Sequence, residues 1–369
     1  MTHVLTELCK EELRELEKYQ VPHHPGIRAK LDANEHPYPL DAEVATRLGA
    51  HLARVALNRY PDGECRELRA ILSRDLGCAP EELCFGNGSD ELISLLIGAF
   101  GRPRPGAAHA LVAYPWPSFV YYRIATWALG ARPLEVPLRE DFTLDPVSLD
   151  AALRTHRPNM VFLALPNNPT GTLWPRDEVV RVIERFPDTL VIADEAYVDY
   201  SGETMRDLFG KYPNLLIMRT FSKMGLAGLR VGYLLAPSSV AGELEKIRPP
   251  YNIGNLNQAA TAWLLTHARE RLVARVREVV DERERLYRAL AELPRVRVFP
   301  TRANLMIFRY GEPGDGQATA LWHKLLDQGV LVRNFDRPGP LQGCLRVTVG
   351  TPEENALFLE AMGAVARAA

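Results

Sequence analysis

Lys223 is the residue around which this chain's chemistry can be organised. It lies in Phe221-Ser222-Lys223-Met224-Gly225-Leu226-Ala227-Gly228-Leu229-Arg230, directly after the apolar run Leu215 to Met218, so a buried strand delivers an amine to a glycine-rich turn. An amine partly withdrawn from water gives up its proton more readily and can form an imine with an aldehyde. Ser222 and Arg230 add a hydroxyl and a planar fork of donors, which suit a phosphate held beside that imine. An aldehyde and a phosphate on one small molecule describe pyridoxal 5'-phosphate.

Two further strand ends agree. The run Met160 to Leu165 leads into Pro166-Asn167-Asn168-Pro169-Thr170-Gly171, where proline stiffens the turn and the Asn168 amide can donate to a phenolate oxygen. The run Leu190 to Ala193 leads into Asp194-Glu195-Ala196-Tyr197. A carboxylate there can keep a pyridine nitrogen protonated, and Tyr197 can reach the ring hydroxyl. Asn168, Asp194 and Lys223 follow one another at 26 and 29 residues, each close to one strand-helix-strand unit, so three successive strand ends face one cofactor.

Gly86-Asn87-Gly88-Ser89-Asp90-Glu91 offers a landing site for the phosphate: Gly88 lets backbone approach, and Ser89 and Asp90 open a helix with free N–H groups. Glu91 stands where a dinucleotide fingerprint needs its third glycine, and no Gly-Lys-Ser/Thr follows, so an ordinary helix cap is the competing reading. Phe119 in Pro117-Ser118-Phe119 can stack on a pyridine face, or serve only as a core phenylalanine.

The elements that must position these residues alternate. Short apolar runs at 110–113, 160–165, 190–193 and 215–218 are separated by helical patterns, among them 89–100, capped by Ser89 or Asp90, and 120–129. Such alternation predicts an α/β fold with a mostly parallel sheet covered by helices, whose ligands gather at the carboxyl ends of the strands. One long amphipathic helix is expected over 257–293. Strands at 304–308, 330–333 and 344–349 and a closing helix over 352–368 follow it, and the N-terminal forty residues are expected to pack there.

With 369 residues and 47% hydrophobic content the chain can build one large domain and one smaller one. A formal net charge of -2 leaves no broad basic surface for nucleic acid or an anionic membrane, which points to a small ligand. Cys9, Cys65, Cys78, Cys84 and Cys344 are scattered, and the nine histidines show no metal-ligand spacing, so neither a disulfide framework nor a metal site is expected. No secretory signal or membrane-spanning run is read, and the cytoplasm is the expected compartment.

In order along the chain, the segments KLDANEHPY, RYPDG, GNGSDELI, PSFVYY, PNNPTG, DEAY, FSKMGLAGLRVGY, RANLMIFR, VLVRNF and CLRVTVGTPEEN resemble the fold type I pyridoxal phosphate aminotransferases, and within them the histidinol-phosphate aminotransferase family. The resemblance covers nearly the whole chain, although one residue is missing between Lys223 and the Gly-Leu-Ala-Gly-Leu-Arg run. It implies a large cofactor-binding domain over 40–250 and a small domain from 1–39 and 251–369. It implies Lys223 as the imine-forming lysine and Asp194 as the partner of the pyridine nitrogen. Asn168 and Tyr197 would hold the ring oxygen, Phe119 would stack, and Gly88, Ser89, Ser222 and Arg230 would bind the phosphate. Tyr60 would reach the phosphate of a neighbouring subunit, so a homodimer is part of the expectation.

For substrate, Arg346 is the candidate clamp. The amino-acid half-reaction needs a bidentate donor for a carboxylate, and in histidinol phosphate the phosphate ester hangs from the corresponding carbon, with Arg333 supporting the bulkier anion. Tyr19, Asn34 and Asn304 would touch substrate by the same likeness. The implied reaction is ping-pong transamination between histidinol phosphate and 2-oxoglutarate, giving glutamate, in histidine biosynthesis. An aromatic amino acid aminotransferase and a threonine-phosphate decarboxylase of the same fold are alternatives, and a non-catalytic regulator is a third.

Overall fold

Among the described residues, twelve strands of three to six residues form, and they sort into two sheets. The computed structural model describes residues 8–15 and 24–368. Seven strands make the larger sheet: β2 (Leu83–Asn87), β3 (Leu111–Trp116), β4 (Arg132–Pro137), β5 (Met160–Ala164), β6 (Leu190–Asp194), β7 (Leu215–Thr220) and β8 (Val231–Leu235). Their order is β2-β8-β7-β6-β5-β3-β4, so the three strands carrying the candidate chemistry lie side by side. Register places Asp194 between Ala164 and Met218 at the carboxyl ends of the strands. Every residue of β5 is buried, as expected of a parallel strand covered on both faces.

The expected parallel sheet carries one exception, since β8 runs antiparallel to both β2 and β7. A strand that follows β7 after only a short loop has no length for a crossover helix and must return alongside its neighbour in the opposite sense.

The smaller sheet has the order β1-β11-β12-β10-β9, built from β1 (Ala29–Leu31), β9 (Val296–Val298), β10 (Leu305–Tyr310), β11 (Val330–Asn334) and β12 (Cys344–Thr348). Its β1 pairs in parallel with β11, so part of the N-terminal segment does join the C-terminal sheet. The closing helix spans Pro352–Ala368. Among the described residues, no helix is long and apolar enough to cross a membrane.

Two helical expectations need correction. The stretch expected as one helix over 257–293 is two, Asn255–His267 and Arg269–Ala291, parted at Ala268, whose φ of -134° leaves the helical region. The helix expected to be capped by Ser89 or Asp90 spans Gly88–Phe100 with Asn87 at its cap. Gly88 takes φ +77°, a conformation glycine enters without steric cost, and this turns the chain from β2 straight into the helix.

Candidate active site

Lys223 is the third residue of the turn that follows β7. Its Nζ donates to the Asn34 carbonyl at 3.3 Å and lies 5.6 Å from the centre of the Tyr197 ring. Burial, aided by the positive charge of Arg346, lowers its pKa from 10.5 to about 8, so a usable fraction of the amine is neutral near physiological pH. Tyr200, unmarked by sequence reasoning, holds the turn by donating its hydroxyl to the Lys223 carbonyl at 2.5 Å. The signal was present, since Tyr200 follows Tyr197 by three residues.

Asp194 is 5% exposed, and burial raises its pKa from 3.8 to about 6. Two donors oppose that shift: the Tyr122 hydroxyl at 2.5 Å and the Ala196 N–H at 3.1 Å. Sequence reasoning missed Tyr122, which is fully buried one turn beyond Phe119. The neighbouring Glu195 is occupied otherwise. It pairs with Arg219 at 2.7 Å and accepts from Thr204 and the Met205 N–H, which fixes the loop after β6.

Because the folded chain holds the Asp194 proton more tightly than an unfolded carboxyl does, folding without cofactor is favoured by this group at low pH. That advantage is lost as pH rises from near 4 through about 6. Asp194→Asn should flatten the pH dependence of the melting temperature in that window. Tyr122→Phe, which removes a donor to the charged form, should extend the window upward. Melts of cofactor-free protein would check both, and identical pH profiles would refute the assignment.

The loops carrying Asn168 and Phe119 are fastened together by Asn167, fully buried, which sequence reasoning also passed over. Its amide donates to the Pro117 carbonyl at 2.9 Å and to Thr170 at 2.8 Å, and its oxygen accepts from Ser118 at 2.7 Å. Phe119 lies half-buried, edge-on to Tyr122 at 5.6 Å. Asn168 accepts from Arg346 Nη1 at 2.7 Å, and Asn34 donates to the Tyr197 hydroxyl at 2.9 Å. Asn304 donates to the Asn34 carbonyl at 3.3 Å, holding that residue rather than facing open space.

Arg346 itself is 7% exposed and reaches the Asp32 carbonyl with Nη2 at 2.6 Å. Its direct cross-strand partner is Arg333, so the two arginines stand on one face of the small sheet. Like charges placed opposite each other repel, which favours an anion between or above them.

On the other flank, Ser222 accepts from Arg230 Nη1 at 3.4 Å and from Thr220 at 2.9 Å. Arg230 also pairs with Asp90 at 3.2 Å. A Cβ at Gly88 would lie 2.5 Å from Arg230 Nη2, and one at Gly232 would lie 2.8 Å from the Gly88 carbonyl carbon and 3.0 Å from the Ser89 nitrogen. The bare backbone here lets the first N–H groups of the Gly88–Phe100 helix, Arg230 and Ser222 converge, which fits a phosphate. Gly232→Ala must push backbone against backbone. We expect roughly 5- to 150-fold weaker cofactor retention, since overpacking costs about 1–3 kcal/mol, checked by equilibrium dialysis.

Two candidates stand apart. Tyr60 is 80% exposed and stacks on Tyr251, and Tyr19 lies outside the described residues.

Residues 28–362 match the family aminotransferase class I and II. The chain is 41% identical over 364 residues to the histidinol-phosphate aminotransferase of Chromobacterium violaceum, spanning 98% of this chain and 99% of that one. It is 40% identical over 367 residues to histidinol-phosphate aminotransferase 1 of Ralstonia nicotianae, spanning 98% and 95%. The crystal structure of the histidinol-phosphate aminotransferase from Sinorhizobium meliloti in complex with pyridoxal-5'-phosphate is similar with a TM-score of 0.84 at 25% identity, covering 98% of each chain. With a two-sheet architecture and a lysine-bearing strand end that agree with these likenesses over almost its full length, this chain belongs to the class I and II aminotransferases, and within them to the histidinol-phosphate aminotransferases.

Proposed function

We propose that this chain is a pyridoxal 5'-phosphate-dependent aminotransferase that passes the amino group of histidinol phosphate to 2-oxoglutarate, leaving imidazole acetol phosphate and glutamate, a step of histidine biosynthesis. The observation that carries the substrate reading is Arg346: a buried guanidinium anchored on Asn168 and Asp32, facing Arg333, and close enough to Lys223 to depress its pKa. An anionic group held there keeps its attached amine beside the lysine.

When bound, pyridoxal 5'-phosphate supplies an aldehyde and a ring that accepts electrons. Gly88, Ser89, Ser222 and Arg230 would hold its phosphate, and Asp90 is assigned to orienting Arg230, since a carboxylate on the phosphate would repel it. Asn168 and Tyr197 would hold the ring oxygen, and Phe119 would cover one face. Asp194 keeps a proton at the ring nitrogen, its charge maintained by Tyr122. Lys223 Nζ takes a proton from the substrate carbon that bears the amine. Asn34, bonded to Tyr197 and to Lys223, lies where it can touch substrate, whereas Tyr19 keeps that role by likeness alone.

The division into a large domain over 40–250 and a small one from 1–39 and 251–369 belongs to this proposal, as does the cytoplasm as compartment. So does a homodimer in which the exposed Tyr60 reaches the phosphate site of the other subunit.

One experiment ranks the candidate reactions. Purified protein is offered histidinol phosphate, phenylalanine or threonine phosphate, each with 2-oxoglutarate, while glutamate and carbon dioxide are followed. Glutamate formed fastest with histidinol phosphate, and no gas, is the expected result. Gas evolved from threonine phosphate, or faster turnover of phenylalanine, overturns it.

A further inference from the structure

We infer that Tyr251 is a positioning residue that presents Tyr60 to the cofactor phosphate of a second copy of the chain. The inference rests on the dimer reading above and deepens it. Tyr60 is 80% exposed, and an exposed tyrosine on a loop would sample many rotamers. Here its ring stacks on Tyr251 with centroids 4.7 Å apart and planes 13° from parallel. Tyr251 is itself held at φ +62°, in the left-handed region that a bulky residue adopts only when its surroundings impose it.

The surroundings are visible. On one side of Tyr251, Arg248 donates to the Gly63 carbonyl at 2.6 Å. On the other, Asn255 donates to the Ala56 and Arg59 carbonyls at 3.2 and 2.8 Å, and Gln258 to the Asp62 carbonyl at 2.9 Å. The 56–63 loop is thus gripped by its backbone at both ends, and between them the Tyr60 ring rests with one face on Tyr251.

The same segment reaches the chain's own phosphate site. Asn252, next to Tyr251, donates to Glu91 at 2.6 Å, and its carbonyl accepts from the Asn87 side chain at 3.2 Å. Glu91 in turn accepts from the Asn87 N–H at 2.7 Å, at the start of the Gly88–Phe100 helix. One strained segment therefore ties the helix that faces a protomer's own phosphate to the tyrosine offered to its neighbour's.

The test uses the intact dimer and reads cofactor retention, by equilibrium dialysis and by the visible absorption of lysine-linked cofactor. Tyr251→Gly deletes the ring while relieving the left-handed backbone, and a residue needed only for folding would then lower the melting temperature and leave the folded protein's hold on cofactor unchanged. We expect an unchanged or higher melting temperature with cofactor bound roughly five- to tenfold more weakly, as loss of a stacked pair implies. Tyr251→Phe, which keeps the ring, should hold the cofactor within about twofold of the wild type.

Hybrid dimers decide the direction of action. Pairing a Tyr251→Gly protomer with a Lys223→Ala protomer leaves one lysine-bearing site, served by a Tyr60 whose Tyr251 is intact, and that site should bind cofactor like the wild type. A hybrid as weak as the Tyr251→Gly homodimer overturns the inference, as does Tyr251→Gly retaining cofactor normally while Tyr60→Phe loses it. If Tyr60→Phe retains cofactor normally, the cross-subunit role of Tyr60 fails and the inference fails with it.

Discussion

Lys223→Ala is expected to abolish transamination, with a loss of about four orders of magnitude or more, and to remove the visible absorption of lysine-linked cofactor. Both losses come from one atom. In the proposed reaction the Nζ both joins the cofactor aldehyde and moves a proton at the substrate carbon, and a methyl side chain can do neither. The pKa near 8 adds a quantitative expectation for the unaltered chain. Only the neutral amine attacks an aldehyde, so capture of added cofactor by cofactor-free protein should quicken about tenfold per pH unit below 8 and level off above it. Stopped-flow absorbance measures that curve. A midpoint near the ordinary lysine value of 10.5 would mean that the amine is not desolvated as the structure has it.

The residues legible in the sequence share a physical property: each is placed by its own strand. Asn168, Asp194 and Lys223 follow apolar runs whose direction and burial are local matters, and β5, β6 and β7 bring them to one edge because neighbouring crossover units stack in sequence order. What stayed hidden depends on contacts distant in sequence. The hydrogen bond between Tyr122 and Asp194 joins positions 72 residues apart, and that between Arg346 and Asp32 spans 314, so no window of sequence contains both partners.

The antiparallel course of β8 was hidden for another reason: Val231 to Leu235 is as apolar as its parallel neighbours, and strand direction leaves no mark on side-chain type. The break at Ala268 escaped because neither glycine nor proline marks it. The amphipathic pattern continues across it while the backbone does not. Asp90 teaches a further point. A residue at a helix start reads as an anion-site neighbour from sequence, yet its carboxylate pairs with the Arg230 guanidinium, a contact that sequence position does not reveal.

Arg346→Ala is the substitution expected to act most strongly on substrate rather than on cofactor. The guanidinium is buried and braced on two oxygens, Asn168 Oδ1 and the Asp32 carbonyl, so it is already oriented before any anion arrives and little is lost in ordering it. A hydrogen bond to a charged group contributes about 1.5–3 kcal/mol, so losing the clamp should raise apparent KM for histidinol phosphate and for glutamate by roughly 10- to 150-fold. The same charge lowers the Lys223 pKa, so its removal should also shift the pH curve of cofactor capture upward. Arg346→Lys, keeping the charge but not the planar fork, should restore the pH curve more fully than the KM. Steady-state kinetics for both half-reactions, set beside that curve, separate clamp from field: a raised KM for one substrate alone would confine the arginine to a single anion, and unchanged constants for both would remove it from substrate binding altogether.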